Sequence, residues 1–327
     1  MPPTTSTGRT PITHVPLTTT PLPTLDAHVA PWPGETESVG GLDLHVRRTP
    51  GTDDAVAVYV HGLGGSSTNW TDLSALLAPS AGGIAVDLPG FGFSEPPAEF
   101  DFGLNSHAAL LAEFIEGLGK GPVHLLGNSM GGAIALLVAA RRPDLVRTLT
   151  LISPAMPDRR LDYRRLSDPR MALAYMPFVG KRVRQALAAL GPEERARQVI
   201  KLCFANADAF PAQRLAELAE EHSARAEFAW AAPAMARSTF GIFRAWFSRG
   251  PESLWAAAEQ VTAPSLVVWG EKDRVISVRR ASRTATLMPR ARLLVLPRTG
   301  HVAQMERPNT VAKAVLAMWE RVETGDW

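Results

Sequence analysis

The chain has 327 residues, of which 46% are apolar and 20% are charged, with a formal net charge of +2. This is ordinary globular composition, and without a basic block interleaved with aromatic residues it does not predict nucleic-acid binding. The single cysteine, Cys203, excludes an internal disulfide and a cysteine-ligated zinc site, and no apolar run reaches the roughly 18 residues of a membrane span.

The first 34 residues are rich in proline and threonine. Proline fixes φ and lacks an N–H donor, and threonine is a poor helix former, so Met1–Gly34 is predicted to be an extended tail. The alternative is a strap held against the body by Val29 and Trp32. The stretch lacks the charged start, apolar middle and cleavage site of a secretory signal, so we expect a cytoplasmic protein without a membrane span.

Seven short β-rich segments follow the tail, most of them apolar and bounded by glycine or proline. They are Leu42–Arg48, Ala55–Gly62, Gly83–Gly90, Pro122–Ser129, Arg147–Pro154, Pro264–Gly270 and Arg292–Pro297. Continuous apolar strands are typical of parallel sheets that are covered on both faces. Because helix-period stretches alternate with them, we expect an α/β fold with a mostly parallel central sheet flanked by helices.

One region departs from this alternation. Residues 158–259 show no convincing strand pattern and are predicted to form only helical segments, rich in alanine, arginine and aromatic residues. Such a block between two sheet strands indicates an inserted helical cap. The predicted organisation is therefore a core formed by residues 35–157 and 260–327, with the cap between its two parts.

A glycine-flanked serine follows the fourth of these strands. The segment Gly127-Asn128-Ser129-Met130-Gly131 has the form Gly-x-Ser-x-Gly between a predicted strand and a predicted helix. In this setting the serine hydroxyl is exposed at a sharp turn, beside the positive end of the helix dipole. Ser129 is therefore predicted to be a nucleophile, and the alternative is a structural turn serine. Asn128 either helps to position the turn or only tolerates its backbone.

A serine nucleophile needs a base, and the base needs an orienting carboxylate. His301 follows the last predicted strand and Asp273 follows the preceding one, so the chain order is Ser, Asp, His. These three residues are predicted to form a catalytic triad. Glu271 and Asp158 are the alternative acids.

Together, these motifs make the chain similar to the α/β-hydrolase family from about Glu37 to Val322. The resemblance implies an α/β-hydrolase fold and an oxyanion hole made by the backbone N–H groups of Leu63 and Met130. It also implies that Gly64 lets the substrate approach. Epoxide hydrolases and haloalkane dehalogenases of this superfamily carry aspartate at the position of Ser129, so serine favours acyl chemistry.

The resemblance leaves two substrate classes open. The motifs GNSMGG and DLPGFGFS are similar to those of meta-cleavage-product hydrolases, which split carbon–carbon bonds in vinylogous diketones. However, Val302 stands where those enzymes usually have tryptophan after the catalytic histidine. Hydrolysis of a small or medium apolar carboxylic ester is therefore preferred, and carbon–carbon hydrolysis is the alternative. Perhydrolase, thioesterase, amidase and non-catalytic receptor functions are lesser possibilities.

Substrate contacts are expected from Gly64 and Val302 beside the triad and from Trp230, Phe243 and Trp246 in the cap. Aromatic residues at helical spacing are nevertheless more often packed than pocket-lining. No histidine or glutamate pair has metal-ligand spacing, so neither a metal nor a cofactor is expected, and the predicted partner is a small apolar molecule. The remaining histidines considered lack partners at useful spacing and are interpreted as structural or exposed: His45, His107, His124 and His222.

Overall fold

The computed structural model describes residues 15–26, 29–39, 41–52, 55–159, 182 and 191–327. Its strands form one eight-stranded sheet. The strands are β1 (Gly34–Val39), β2 (Leu42–Thr49), β3 (Val56–Val60), β4 (Gly82–Val86), β5 (Val123–Asn128), β6 (Val146–Ile152), β7 (Ser265–Gly270) and β8 (Ala291–Leu296).

The sheet is parallel except at one edge. The strand order is β1-β2-β4-β3-β5-β6-β7-β8, and only the β1–β2 and β2–β4 pairs are antiparallel. The prediction of a mostly parallel central sheet flanked by helices is thereby confirmed. Because β3 to β8 run in the same direction, the loops that follow them meet at one edge, where α/β sheets bind ligands.

Ten α-helices accompany these strands in the described part of the chain. They are α1 (Thr71–Leu77), α2 (Leu104–Gly117), α3 (Met130–Arg141), α4 (Pro192–Cys203), α5 (Ala212–Arg225), α6 (Ala231–Phe247), α7 (Leu254–Gln260), α8 (Ala281–Leu287), α9 (Ala303–Glu306) and α10 (Pro308–Thr324). None of them combines the length and the apolarity that a bilayer crossing requires.

The regular elements described between β6 and β7 are all helical, and they occupy the position expected for a cap. We refer to α4, α5 and α6 as the inserted helices. Residues 160–181 and 183–190 of the predicted cap lie outside the described residues, as do residues 1–14 of the predicted tail.

Strand β3 shows how the sheet builds a core on each of its faces. Val58 and Val60 belong to a cluster formed with α2, α3 and α7, whereas Ala57 and Tyr59 belong to a second cluster formed with α1 and α10. All four residues are fully buried. Burying each valine contributes about 1.5–3 kcal/mol, so both faces of the strand demand apolar residues.

Strand β1 is not predicted by the sequence pattern, and Gly34, taken as the end of the tail, is its first residue. The strand lies at the edge of the sheet and pairs only with β2. Glu35 and Thr36 are exposed on it. An exposed edge strand has no buried face and therefore shows no hydrophobic alternation.

The segment before β1 has no helix or strand in its described residues, yet it contacts the core. Thr18 is buried; its N–H donates to the Lys313 carbonyl (3.1 Å), and its hydroxyl donates to Glu320 Oε1 (2.8 Å). The Val29 carbonyl accepts a hydrogen bond from Arg214 (2.8 Å), and the Trp32 carbonyl accepts one from Arg47. Described residues of the predicted tail therefore contact the rest of the chain, and at Val29 and Trp32 they do so through backbone carbonyls.

The buried His107 ring is expected to make the stability of the fold depend on pH. Its ring is fully buried beside Phe91 and Phe100, and neither ring nitrogen has a hydrogen-bond partner among the described residues. Burial, with a smaller contribution from His61, lowers the pKa of His107 to about 3. Below pH 6.5 the unfolded chain therefore binds a proton that the folded chain rejects, which destabilises the fold by about 2 kcal/mol at pH 5.

We expect His107→Leu to raise the free energy of unfolding, and to raise it more at pH 5 than at pH 7.5. The gain at neutral pH comes from removing two unpaired buried polar atoms, and the additional gain at pH 5 comes from removing the titrating group. Urea unfolding of both proteins at the two pH values measures this. An equal gain at both values would contradict the assignment of a neutral buried ring.

Candidate active site

Ser129 occupies the tight turn between β5 and α3. Its backbone has φ 53° and ψ −116°, a conformation that non-glycine residues adopt only under strain. The turn is held from the side of β6, because the Ser129 N–H donates to the Ile152 carbonyl (3.0 Å) and the Ser129 carbonyl accepts from the Ala155 N–H (2.8 Å). The serine is thus fixed at the end of β5 with its hydroxyl beside the N-terminus of α3.

The two flanking glycines are required by close backbone contacts. A Cβ atom on Gly127 would lie 2.4 Å from the Gly131 oxygen, and one on Gly131 would lie 2.3 Å from the carbonyl oxygens of Val60 and His61. Both distances are below any tolerated contact, and the obstructing atoms are backbone atoms that cannot rotate away. The Gly-x-Ser-x-Gly pattern is therefore a steric requirement of this turn.

Asp273 and His301 are hydrogen-bonded at the same edge of the sheet. Asp273 Oδ2 lies 2.8 Å from His301 Nδ1, and both side chains are buried. The other oxygen, Oδ1, accepts the N–H groups of Val275 (2.8 Å) and Ile276 (2.9 Å). The carboxylate is fixed by these bonds and holds the ring with its proton on Nδ1.

The two alternative acids lie elsewhere. Glu271 pairs with Lys272 (3.6 Å) at the surface, and Asp158 pairs with Arg280 (3.2 Å). Of the three carboxylates considered in the sequence, the structure brings Asp273 to His301.

Ser129 and His301 line one cavity. Asn128 links their two loops, because its Nδ2 donates to the carbonyls of Ile152 (3.0 Å) and His301 (3.2 Å). No hydrogen bond joins Ser129 to His301 within the described residues, and such contacts between catalytic groups are often long before substrate binds. Cys203 lines the same cavity, but burial raises the pKa of its thiol to about 12, which disfavours the thiolate.

The loop after β3 is organised around a neutral His61. Burial lowers the pKa of His61 to about 4, against the opposing charge of Asp87. Its Nε2 accepts the N–H of Leu88 (3.0 Å), and its Nδ1 donates to the Gly62 carbonyl (2.7 Å). The Gly65 N–H donates to the same carbonyl (3.0 Å). In a trans peptide the Leu63 N–H points opposite to the Gly62 carbonyl, so these bonds also fix its direction.

The backbone N–H groups of Leu63 and Met130 have no hydrogen-bond acceptor among the described residues. Met130 is the first residue of α3, where helical N–H groups lack intrahelical partners. Leu63 lines the cavity beside Ser129. Two open donors near one hydroxyl are what stabilisation of an oxyanion requires.

The cavity that contains Ser129 and His301 has a volume of about 480 Å³. Gly64 and Val302, two of the expected substrate contacts, line it. Trp230, Phe243 and Trp246 do not. Trp246 is buried and its indole N–H donates to the Ala155 carbonyl (2.8 Å), Phe243 is half exposed, and Trp230 stacks on Phe228. These three aromatic side chains serve packing or face outward.

Many residues of the cavity wall belong to the inserted helices, and most of these were not predicted from the sequence as substrate contacts. On α5 these are Leu218, His222 and Arg225, whose spacing of four and three residues places them on one helix face. His222, interpreted from the sequence as structural or exposed, is therefore a wall residue. Further lining side chains are mostly apolar: Val199, Ile200, Phe204, Phe228, Met235 and Met305.

Within the described ranges, no three histidine, cysteine or acidic side chains come together as a metal site. His45, interpreted from the sequence as lacking a partner, has its Nδ1 2.7 Å from Asp87 Oδ2.

Comparisons with known proteins agree with this architecture. A family model described as alpha/beta hydrolase fold matches residues 58–308. Monoacylglycerol lipase abhd6-B of Xenopus laevis is 28% identical over 282 residues, covering 86% of this chain and 79% of the lipase. A 2-hydroxy-6-oxononadienedioate/2-hydroxy-6-oxononatrienedioate hydrolase of Burkholderia vietnamiensis is 26% identical over 287 residues, covering 86% and 92%. A solved membrane phospholipase A is 26% identical, with a TM-score of 0.72 and coverage of 89% and 86%.

Proposed function

The chain belongs to the alpha/beta hydrolase family, and we propose that it is a serine hydrolase that cleaves carboxylic esters of small or medium apolar substrates. One observation carries the proposal. A strained Ser129 shares a cavity with a His301 ring that Asp273 already orients through its far nitrogen. That arrangement has the parts of a nucleophile, a base and an orienting acid.

In this mechanism His301 Nε2 takes the Ser129 proton while Oγ attacks the carbonyl carbon of the ester. The resulting oxyanion accepts hydrogen bonds from the N–H groups of Leu63 and Met130. His301 then gives its proton to the departing alkoxide, which leaves an acyl-enzyme. A water molecule deprotonated by His301 attacks the acyl carbon, and collapse of the second oxyanion releases the acid and restores Ser129.

The cavity wall supports an apolar substrate. Its volume of about 480 Å³ lies within the usual range of small-molecule sites, and apolar side chains of the inserted helices form much of it. The related monoacylglycerol lipase fits this choice, because a fatty acyl ester presents a long apolar group to the enzyme. Val302 beside His301 continues the apolar surface next to the reacting groups.

Carbon–carbon hydrolysis of meta-cleavage products is the second candidate. Arg195 lines the cavity, and such substrates carry a carboxylate that an arginine can bind. The related dienedioate hydrolase supports this alternative. Both reactions place a carbonyl beside Ser129, so the site geometry is compatible with either.

A substrate panel distinguishes the two. We expect 4-nitrophenyl butyrate and octanoate to be hydrolysed with a kcat/KM at least about 100-fold above that for ring-fission dienoates, because the apolar wall favours an uncharged acyl chain. Initial rates on both classes, with Ser129→Ala protein as the blank, provide the measurement. A higher kcat/KM on the dienoates would assign the second function to the same triad.

A further inference from the structure

The loop assigned to the oxyanion hole is rich in glycine and therefore flexible by composition. Gly62, Gly64 and Gly65 surround Leu63, and Gly64 has φ +75°. Glycine loses more conformational freedom on ordering than any other residue, so a loop of this kind needs additional contacts to stay in one conformation. An effective oxyanion donor must nevertheless be positioned before the reaction. Within the loop, the bonds of the His61 ring and the Gly65 N–H to the Gly62 carbonyl orient the Leu63 N–H relative to its neighbours. Contacts from outside the loop must then hold the following segment, from Gly64 to Thr68, in place.

Arg225, at the end of α5, supplies one such contact. Its Nη1 donates to the Gly64 carbonyl (3.0 Å) and reaches the Gly65 carbonyl (3.5 Å). The residue is 9% exposed. The guanidinium thus holds the two peptide groups from Gly64 to Ser66, which begin one residue after Leu63.

Glu221, one helical turn earlier, supplies a second contact. Its Oε2 accepts the hydroxyls of Ser66 (2.8 Å) and Thr68 (2.9 Å), and its Oε1 lies 3.3 Å from Arg225 Nη1. Glu221 is 7% exposed. A buried ion pair costs desolvation energy that the pair alone seldom recovers, and here the remaining hydrogen bonds go to the loop. Through these hydrogen bonds the ion pair holds the segment from Gly64 to Thr68.

We propose that Glu221 and Arg225 are positioning residues that align the Leu63 N–H for transition-state binding. The inference rests on the proposed function, because the Leu63 donor matters only if Ser129 attacks an acyl carbonyl. It makes α5 part of the catalytic apparatus as well as part of the cavity wall. Substrate packed against Leu218 and His222 of α5 then reinforces the order of the oxyanion loop.

The same helix offers a matched control in Arg214. It is also 9% exposed and ion-paired, and its Nε, like that of Arg225, is buried without a partner in the described residues. Its bonds go to Asp72 in α1 (2.8 Å), to the Val29 carbonyl (2.8 Å) and to Glu217 on its own helix (2.9 Å). Arg214→Met therefore disturbs the docking of α5 to a similar degree without removing a bond to the Gly64–Thr68 segment.

The experiment compares Arg225→Met, Arg225→Lys, Glu221→Gln and Arg214→Met. The readouts are kcat and KM on a 4-nitrophenyl ester, inhibition by an alkyl boronic acid that forms a tetrahedral adduct with the serine, and melting temperature. We expect Arg225→Met to lower kcat about 10- to 100-fold with KM within about twofold, and to weaken boronic acid binding by a similar factor. Arg225→Lys should restore part of this loss, and Glu221→Gln should lose less than Arg225→Met.

We expect Arg214→Met to lower the melting temperature about as much as Arg225→Met while kcat stays within about twofold of wild type. Equal kcat losses in the two variants, or unchanged kcat in Arg225→Met, would overturn the positioning role while leaving the hydrolase assignment intact. If Arg225→Met does not fold, Glu221→Gln provides the test instead. Its glutamine still accepts the hydroxyl hydrogen bonds, but it lacks the negative charge that pairs with Arg225. Unimpaired turnover by Ser129→Ala would instead overturn the proposed function and this inference with it.

Discussion

Replacing Ser129 with alanine is expected to lower kcat on activated esters by about 10⁴-fold or more. Serine and alanine differ only by the hydroxyl group, so the loss of kcat reports the nucleophile alone. Labelling by a fluorophosphonate should disappear together with turnover. Ser129 is buried and its backbone is held by Ile152 at the end of β6 and by Ala155 just after it, so we expect the free energy of unfolding to change by less than about 1 kcal/mol.

Ser153 is a close control for this substitution. It also follows a strand, has a positive φ (43°), is fully buried, and has an Oγ without a partner among the described residues. Ser153→Ala should keep kcat within about twofold of wild type and slightly stabilise the protein, because an unsatisfied buried hydroxyl is removed. Ester turnover in pure Ser129→Ala protein, or equal losses in both variants, would rule out the nucleophile. Tight ligand retention without turnover by the wild-type protein would favour a receptor.

The arrangement of β5, Ser129 and α3 was predictable because its causes are local. The two glycines are required by backbone atoms that lie within a few residues of the serine or at the end of the neighbouring strand. Their spacing around the serine is therefore enough to predict the turn. The loops of Asp273 and His301 were also predictable in position, since parallel strands deliver their carboxyl ends to one edge. The sequence favoured Asp273 and left Glu271 as an alternative. The structure distinguishes the two, because the Asp273 carboxylate turns toward His301 and Glu271 pairs with Lys272 at the surface.

The cavity wall was not predictable in the same way. The aromatic residues of α6 have helical spacing, but the face of α6 that meets the cavity is set by how the helix docks. Met235, near the start of α6, lines the cavity, whereas Trp246, near its end, is buried against Ala155. From their spacing of four residues alone, Glu221 and Arg225 would similarly be interpreted as an exposed ion pair on the helix surface. They are buried because a distant glycine-rich loop lies over them.

Asp273→Asn is expected to lower kcat nearly as much as Ser129→Ala, because of the two hydrogen bonds that hold the carboxylate. Asp273 Oδ1 accepts two backbone N–H groups, from Val275 and Ile276. An amide NH₂ cannot occupy that position without facing two donors, so the amide oxygen must stay there. The NH₂ group then faces His301 Nδ1 and donates to it.

This donation moves the imidazole proton to Nε2, the nitrogen that must accept the Ser129 proton. We expect Asp273→Asn to lower kcat by about 10⁴-fold with KM little changed, because Asp273 does not line the cavity. Fluorophosphonate labelling should slow in parallel. Glu271→Gln, two residues earlier and exposed, should keep kcat within about twofold of wild type. If Asp273→Asn kept more than about a tenth of wild-type kcat, or if the loss appeared in Glu271→Gln, the orienting acid would be another carboxylate.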